Sequence, residues 1–194
     1  MNKFDRFEVA VGGNDRLYYK DAVFPMGEYN TAYNFVQVTW KGGRMPVVFS
    51  GCDFENCVFD KVDLRFAVFI DCTFKSCLFR RCQMSLVSMI DCRGYDLKLH
   101  YCEADELLIM HSMVDGIRAT RCRLVDSRIS VNTEYLAPMV FKVCDLEGSH
   151  IQNVKGMQYE SPFGIPALSH KDRKSVKIDR CKGRVVLEGF QHVP

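Results

Sequence analysis

Between Val47 and Val131, cysteines and large apolar residues recur at every fifth position, a period that neither a helix nor a strand produces. Cys52, Cys57, Cys72, Cys77, Cys82, Cys92, Cys102 and Cys122 share one slot in five. Two residues after that slot runs a second series: Phe49, Phe54, Phe59, Leu64, Phe69, Phe74, Phe79, Met84, Met89, Gly94, Leu99, Ala104, Ile109, Val114, Ala119, Leu124 and Ile129. Sixteen of these seventeen residues are apolar and only Gly94 is not, so the slot reads as a core position. Helices repeat their faces about every 3.6 residues and strands every 2. A fixed internal period instead marks stacked units, none of which can bury its apolar residue alone.

The series resumes two residues out of step, as Phe141, Leu146 and Ile151, with Cys144 in the small slot before Leu146. NTEYLAPM, residues 132–139, therefore reads as an insertion between two parts of one solenoid. Of the ten cysteines, Cys181 alone stands outside the period.

CDFEN, CVFDK, CTFKS and CLFRR each carry a small residue, a variable one, a Phe and two more variable ones. They resemble the units of the pentapeptide-repeat family, in which Ala or Cys is followed by a polar residue and then Leu or Phe. The resemblance implies an all-β fold, a right-handed quadrilateral β-helix with about five residues per side and about twenty per coil. Stacking at ~4.8 Å would make residues twenty apart neighbours. One expected ladder is Phe49, Phe69, Met89, Ile109 and Ile129; another is Phe59, Phe79, Leu99 and Ala119. Gly94, between Phe74 and Val114, leaves a gap that a neighbouring ring must fill or the coil must close around.

Four segments follow from this pattern. Residues 1–46 read as an N-terminal β cap or small sheet, with FEVAV and RLYYK as a hairpin and VQVTW (36–40) as an alternating, half-buried strand. Residues 47–131 are the β-helix, and 132–156 its register-shifted continuation. Residues 157–194 form a basic tail in which RVVLEGF either adds a strand or covers exposed apolar surface.

The stacked cysteines would point the same way into the core, a poor geometry for disulfides, and read as small buried hydrophobes. Their use implies a reducing compartment, the cytoplasm of the source or of a host cell. Their spacings are multiples of five and no C-x-x-C occurs, so neither a metal site nor any cofactor is expected. Cys181, between Arg180 and Lys182, is the one candidate reactive thiol. No nucleophile, metal or nucleotide motif is present and the histidines are scattered, so no catalytic residue is named and the chain is read as a non-enzyme. No apolar run reaches the roughly 20 residues of a membrane span.

Two sets of outward residues are candidate partner-binding sites. The first is acidic: Asp53, Glu55, Asp60, Asp63, Asp91, Asp96, Glu103, Asp105 and Glu106. The second is an apolar stripe flanking the Phe49, Phe69, Met89 and Ile109 ladder: Val48, Val68, Ile70, Ile90, Leu108 and Met110. Such a stripe is either covered by the chain's own termini or is a docking or homodimer surface. The resemblance implies a binding protein. Its acidic form would mimic duplex DNA and inhibit or modulate a DNA-handling enzyme, such as a topoisomerase or a host defence nuclease met by a phage protein. The alternative is a bacterial effector or scaffold that holds a protein partner through the stripe or the β flanks. Direct nucleic-acid binding is not expected, because the basic stretch 169–184 lacks interleaved aromatics.

Overall fold

A left-handed backbone residue recurs two positions after each large apolar one. Asn56 (φ 54), Lys61 (φ 58), Asp71 (φ 50), Ser76 (φ 53) and Arg81 (φ 55) illustrate it in the computed structural model. Three extended residues followed by such a turn carry the chain along one side of a square and round its corner. The structure describes residues 9–12, 16–20, 28–29, 34–45, 48–131, 139–153 and 176–188. Among them are strands and turns but no helix, and nothing long and apolar enough to form a membrane-crossing helix.

In one coil the sides are the strands Val68–Ile70, Thr73–Lys75 and Leu78–Arg80, then a segment around Met84 held by a single bridge at Gln83. We name the sides the Phe69, Phe74, Phe79 and Met84 sides. Every strand of this coil lies parallel to the strand twenty residues away, pairing Phe49 with Phe69, Phe54 with Phe74 and Phe59 with Phe79. The parallel β-solenoid expected from the five-residue period is what forms.

Its core is a set of aromatic stacks. Phe49 on Phe69, Phe54 on Phe74 and Phe59 on Phe79 have centroids 5.2, 5.0 and 4.5 Å apart with planes within 7° of parallel. All six rings are buried. Each contributes roughly 2–3 kcal/mol by leaving water. Gly94 keeps this stack regular where the core thins: a Cβ there would lie 2.9 Å from Cγ1 of Val114, so the valine of the next coil fills the gap.

Nine cysteines are buried and none forms a disulfide. They are more than filler. Cys77 Sγ donates to the Phe54 carbonyl at 3.2 Å, Cys82 to Phe59 at 3.3 Å and Cys72 to Phe49 at 3.4 Å, each reaching the preceding coil. Ser112 and Ser127 take the same slot and bond back to Met89 and Ala104. The slot therefore selects a small side chain with a donor. Cys181 belongs to it as well, which corrects its placement outside the period. Its Sγ donates to the Phe141 carbonyl at 3.4 Å and accepts from the Cys144 amide at 3.2 Å. Burial pushes its thiol pKa up, opposite to what a reactive thiolate requires. Residues 154–175 separate its coil from the strand Ser149–Asn153, and this is what hides its register.

The ladders continue before Val47. Asn34–Val36 pairs with Asp53–Glu55, Thr39–Lys41 with Val58–Asp60, and Arg44 bridges Asp63, all at a spacing of nineteen. Phe35, Trp40 and Met45 keep the period of five but are one residue out of phase with Phe49. The alternating reading of 36–40 is corrected accordingly: Val36 is 47% exposed and Gln37 (φ 56) turns the corner, while Val38 and Trp40 face the core. Val9–Gly12 and Arg16–Lys20 do pair as an antiparallel hairpin, and the second strand extends the Phe79 side through Thr39–Lys41.

After Val131 the strand Met139–Lys142 pairs with Arg118–Thr120 at a spacing of twenty-two, the two-residue slip seen in the sequence. Val176–Asp179 then stacks on Met139–Lys142, and Val185–Glu188 on Ser149–Asn153. Residues 185–188 of RVVLEGF thus add a final strand to the Phe69 side. The insertion at 132–138 and the loop and basic run at 157–175 lie outside the described residues.

Candidate partner-binding surfaces

The Phe69 side carries the six apolar stripe residues together. Strand pairing sets Val48 beside Val68, Ile70 beside Ile90, and Ile90 beside Met110, with Leu108 beside Ser88. Ile70 is exposed and the other five are half-buried. The period guarantees this grouping, because residues twenty apart must share a side.

The stripe continues around the corner from the Met84 side, through two residues that the sequence reading did not single out. Phe66 is 57% and Leu86 41% exposed, and they occupy the left-handed corner positions of successive coils with φ of 66° and 61°. Most other corners hold polar residues or glycine, with Tyr101 and Val143 as further bulky exceptions, but of these four only Phe66 and Leu86 stand at the corner leading into the Phe69 side. A bulky side chain is uncommon in that conformation, and the backbone cost is about 1–2 kcal/mol. A depression of about 660 Å³ opens beside Leu86, lined also by Ser88, Leu107 and Leu108 and by the charged Glu106, Asp126 and Arg128. The signal in the sequence was two large apolar residues, twenty apart, in a slot given mostly to polar residues and glycine.

The nine acidic candidates do not converge in this way. Asp53 and Glu55 lie on the Phe74 side, Asp60 on the Phe79 side, and Asp63, Glu103 and Asp105 on the Met84 side; Asp91, Asp96 and Glu106 stand at three different corners. Five are held by cations: Glu55 by Lys75 at 3.0 Å, Asp60 by Arg80 at 2.8 Å, Asp63 by Arg65 at 2.7 Å, Asp96 by Lys98 at 2.7 Å and Asp105 by Arg123 at 2.8 Å. The Arg80 guanidinium beside Asp60 holds its carboxyl below the usual carboxylate range, and Arg65 does the same for Asp63. Lowered values mean stabilisation that is present above the ordinary carboxylate pKa and is lost as pH falls through the folded one. These acids act largely as rungs between coils.

Among the described residues no group of three metal-binding side chains gathers. Within the cysteine ladder the shifts alternate: the adjacent Cys102 thiol and burial outweigh the lowering contact from Cys144 and push Cys122 up to about 12, while contact with Cys102 lowers Cys82 and contact with Cys72 lowers Cys92.

A family model described as pentapeptide repeats matches residues 48–85 in eight copies. No curated protein matches the sequence. Among solved structures, a trypsin-treated form of QnrB1, a plasmid-mediated fluoroquinolone resistance protein, is similar at 12% identity, with 89% of this chain and 92% of that one covered and a TM-score of 0.48. HetL, a pentapeptide repeat protein involved in heterocyst differentiation regulation from the cyanobacterium Nostoc, is similar at 10% identity, with 70% and 72% covered and a TM-score of 0.34.

Proposed function

Taking this chain as a pentapeptide-repeat protein, we propose that it is a non-catalytic module that binds a protein partner through the apolar surface joining Phe66 and Leu86 to the Phe69 side. The observation that carries the reading is the pair Phe66 and Leu86. Each holds a bulky side chain in a left-handed backbone and leaves much of it in water, so neither local strain nor the hydrophobic effect favours the free state. A partner that buries the half of each side chain still in water recovers roughly 1 kcal/mol per side chain. Large apolar anchors set in a partly polar rim are the usual energetic centre of a protein interface, and Glu106, Asp126 and Arg128 supply that rim. The duplex-mimicking alternative rests on the family resemblance, and the ion pairs of its carboxylates give it no support in this chain.

The test pairs two double variants of the full chain. Phe66→Asp with Leu86→Asp places charges in the surface; Val36→Asp with Tyr95→Asp does so at exposed apolar positions on the Phe74 side. Partners captured by the native protein from source cells should be lost by roughly 30-fold or more from the first variant, as for a central anchor, and retained by the second. Equal capture by both variants contradicts the proposal. Light scattering on the native protein identifies the case in which the partner is a second copy: a dimer that becomes monomeric in the first variant alone.

A further inference from the structure

The Phe79 side segregates positive charge in a way that neither composition nor sequence order reveals. Before its core residues stand Lys98, Arg118 and Lys177; after them stand Lys41, Arg80 and Lys142. The corner that follows adds Lys61, Arg81, Arg121 and Arg180. Against these ten cations the same surface holds Asp60 and Asp179, with Asp96 at its other edge beside Lys98 and Arg118, a balance of ten minus three, or +7, in a chain whose net charge is +2. Nine of the cations are exposed and Lys98 is half-buried, and five have no acidic partner among the described residues: Lys41, Lys61, Arg81, Arg121 and Lys177. Arg121 is instead fixed by its own coil neighbour, donating to the Tyr101 hydroxyl at 2.6 Å with its guanidinium 5.3 Å from that ring.

We infer that the Phe79 side, with its corner, binds the phosphate backbone of double-stranded DNA without regard to sequence. Seven strands from Thr39–Lys41 to Val176–Asp179 make up this side. Six spacings of ~4.8 Å give a cationic surface about 29 Å long. That spans roughly eight base pairs of a duplex rising 3.4 Å per pair. The hydrogen-bonded sheet fixes the rows, so little side-chain-bearing backbone has to be ordered on binding. A duplex is a stiff polyanion that presents its phosphates along such rows without being ordered first. A flexible single strand binds chiefly by stacking its bases on aromatic rings, and here Arg121 already stands over the exposed Tyr101 ring. An acidic protein needs apolar anchors as well as charge, and Val58, Leu78 and Val140 are only half-buried spacers between the cationic rows. The surface is separate from the apolar one around Phe66, so each claim stands or fails alone. It also reverses the expectation of no direct nucleic-acid contact: coil stacking gathers cations that lie twenty or more residues apart in the chain.

Fluorescence anisotropy with the full chain and a labelled duplex of about 20 base pairs tests it across roughly 50–200 mM salt. Five contacts predict a log–log salt slope near −4.5, about −0.9 for each phosphate neutralised. Lys61→Glu, Arg81→Glu and Arg121→Glu together should weaken binding at least ~10-fold and flatten the slope by about 3. Lys75→Glu, Arg93→Glu and Arg184→Glu together make the same charge change away from the Phe79 side and should leave more than half the affinity at each salt concentration. Circular dichroism on both triple variants establishes that the solenoid is retained. No salt-dependent binding by the native chain overturns the inference, as does equal weakening in both triple variants. A single strand that binds more tightly than the duplex, or polyglutamate that competes as well as unlabelled duplex, also overturns it.

Discussion

Phe54→Ala should lower the unfolding free energy by roughly 3–5 kcal/mol, the range for losing a fully buried aromatic ring. Phe54 is wholly buried and is the most connected ring of the core. It stacks on Phe35 and Phe74, both at 5.0 Å, and meets Phe49 and Phe69 edge-on at 5.5 and 6.0 Å. Removing it leaves a void that the coil cannot close, because its backbone is hydrogen-bonded to coils on both sides: Asn56 N donates to the Lys75 carbonyl at 2.8 Å, and Gln37 N to the Glu55 carbonyl at 2.8 Å. Domain stabilities are about 5–15 kcal/mol, so the loss is a large share of the total. Urea unfolding followed by circular dichroism reads it as a lowered midpoint at unchanged slope. A shift worth less than about 1 kcal/mol would mean that the coils repack freely and that the aromatic stacks do not hold the solenoid in register.

Cys102 separates size from thiol chemistry in the small slot. It lies between Cys82 and Cys122 and donates to the Phe79 carbonyl at 3.4 Å. Cys102→Ala removes the sulfur and its weak hydrogen bonds without adding bulk, a cost of roughly 1 kcal/mol. Cys102→Leu forces extra carbons between tightly stacked coils and should cost about 1–3 kcal/mol or more, the range for overpacking. The ordering native, Ala, then Leu in thermal midpoint is the expected result. A leucine variant as stable as the alanine one would show that the slot is loosely packed. The thiol itself should resist alkylation until the protein unfolds: contact with Cys122 lowers its pKa, but Cys82 and burial outweigh that and push it up to about 12.

The fold was legible because its period is local. Each unit of five places one side chain in the core, and the twenty-residue ladder follows without any long-range information. Phe49 over Phe69 and Phe59 over Phe79 stand where the period puts them. What escaped were the places where the count of five breaks. One missing residue before Phe49 hid Phe35, Trp40 and Met45 in a stretch that alternates like an ordinary strand. The long excursion before Cys181 likewise hid the last rung of the cysteine ladder.

The surfaces were less legible for a different reason. The apolar stripe follows from flanking positions and could be read directly. Phe66 and Leu86 could not be assigned to it until the chain was seen to turn the corner beside them, since their slot normally holds polar residues. Charge was the hardest to read, because pairing decides its meaning. Asp60 looked like a free carboxylate in the sequence and is the buried partner of Arg80 in the fold. The cations of the Phe79 side are scattered between Lys41 and Arg180 in sequence, and only the stacking of coils brings them together.

The central functional claim is that the apolar corner of the solenoid is its protein-binding surface, and site-specific photo-crosslinking tests it most directly. A photoreactive residue is placed in turn at Phe66, at Leu86 and at Ile70, and as a reference at Tyr95, which is 58% exposed on the Phe74 side. Irradiation in source cells should give the same adduct from the first three positions and none from Tyr95. Adducts from Tyr95 alone, or from no position on the corner, would contradict the account.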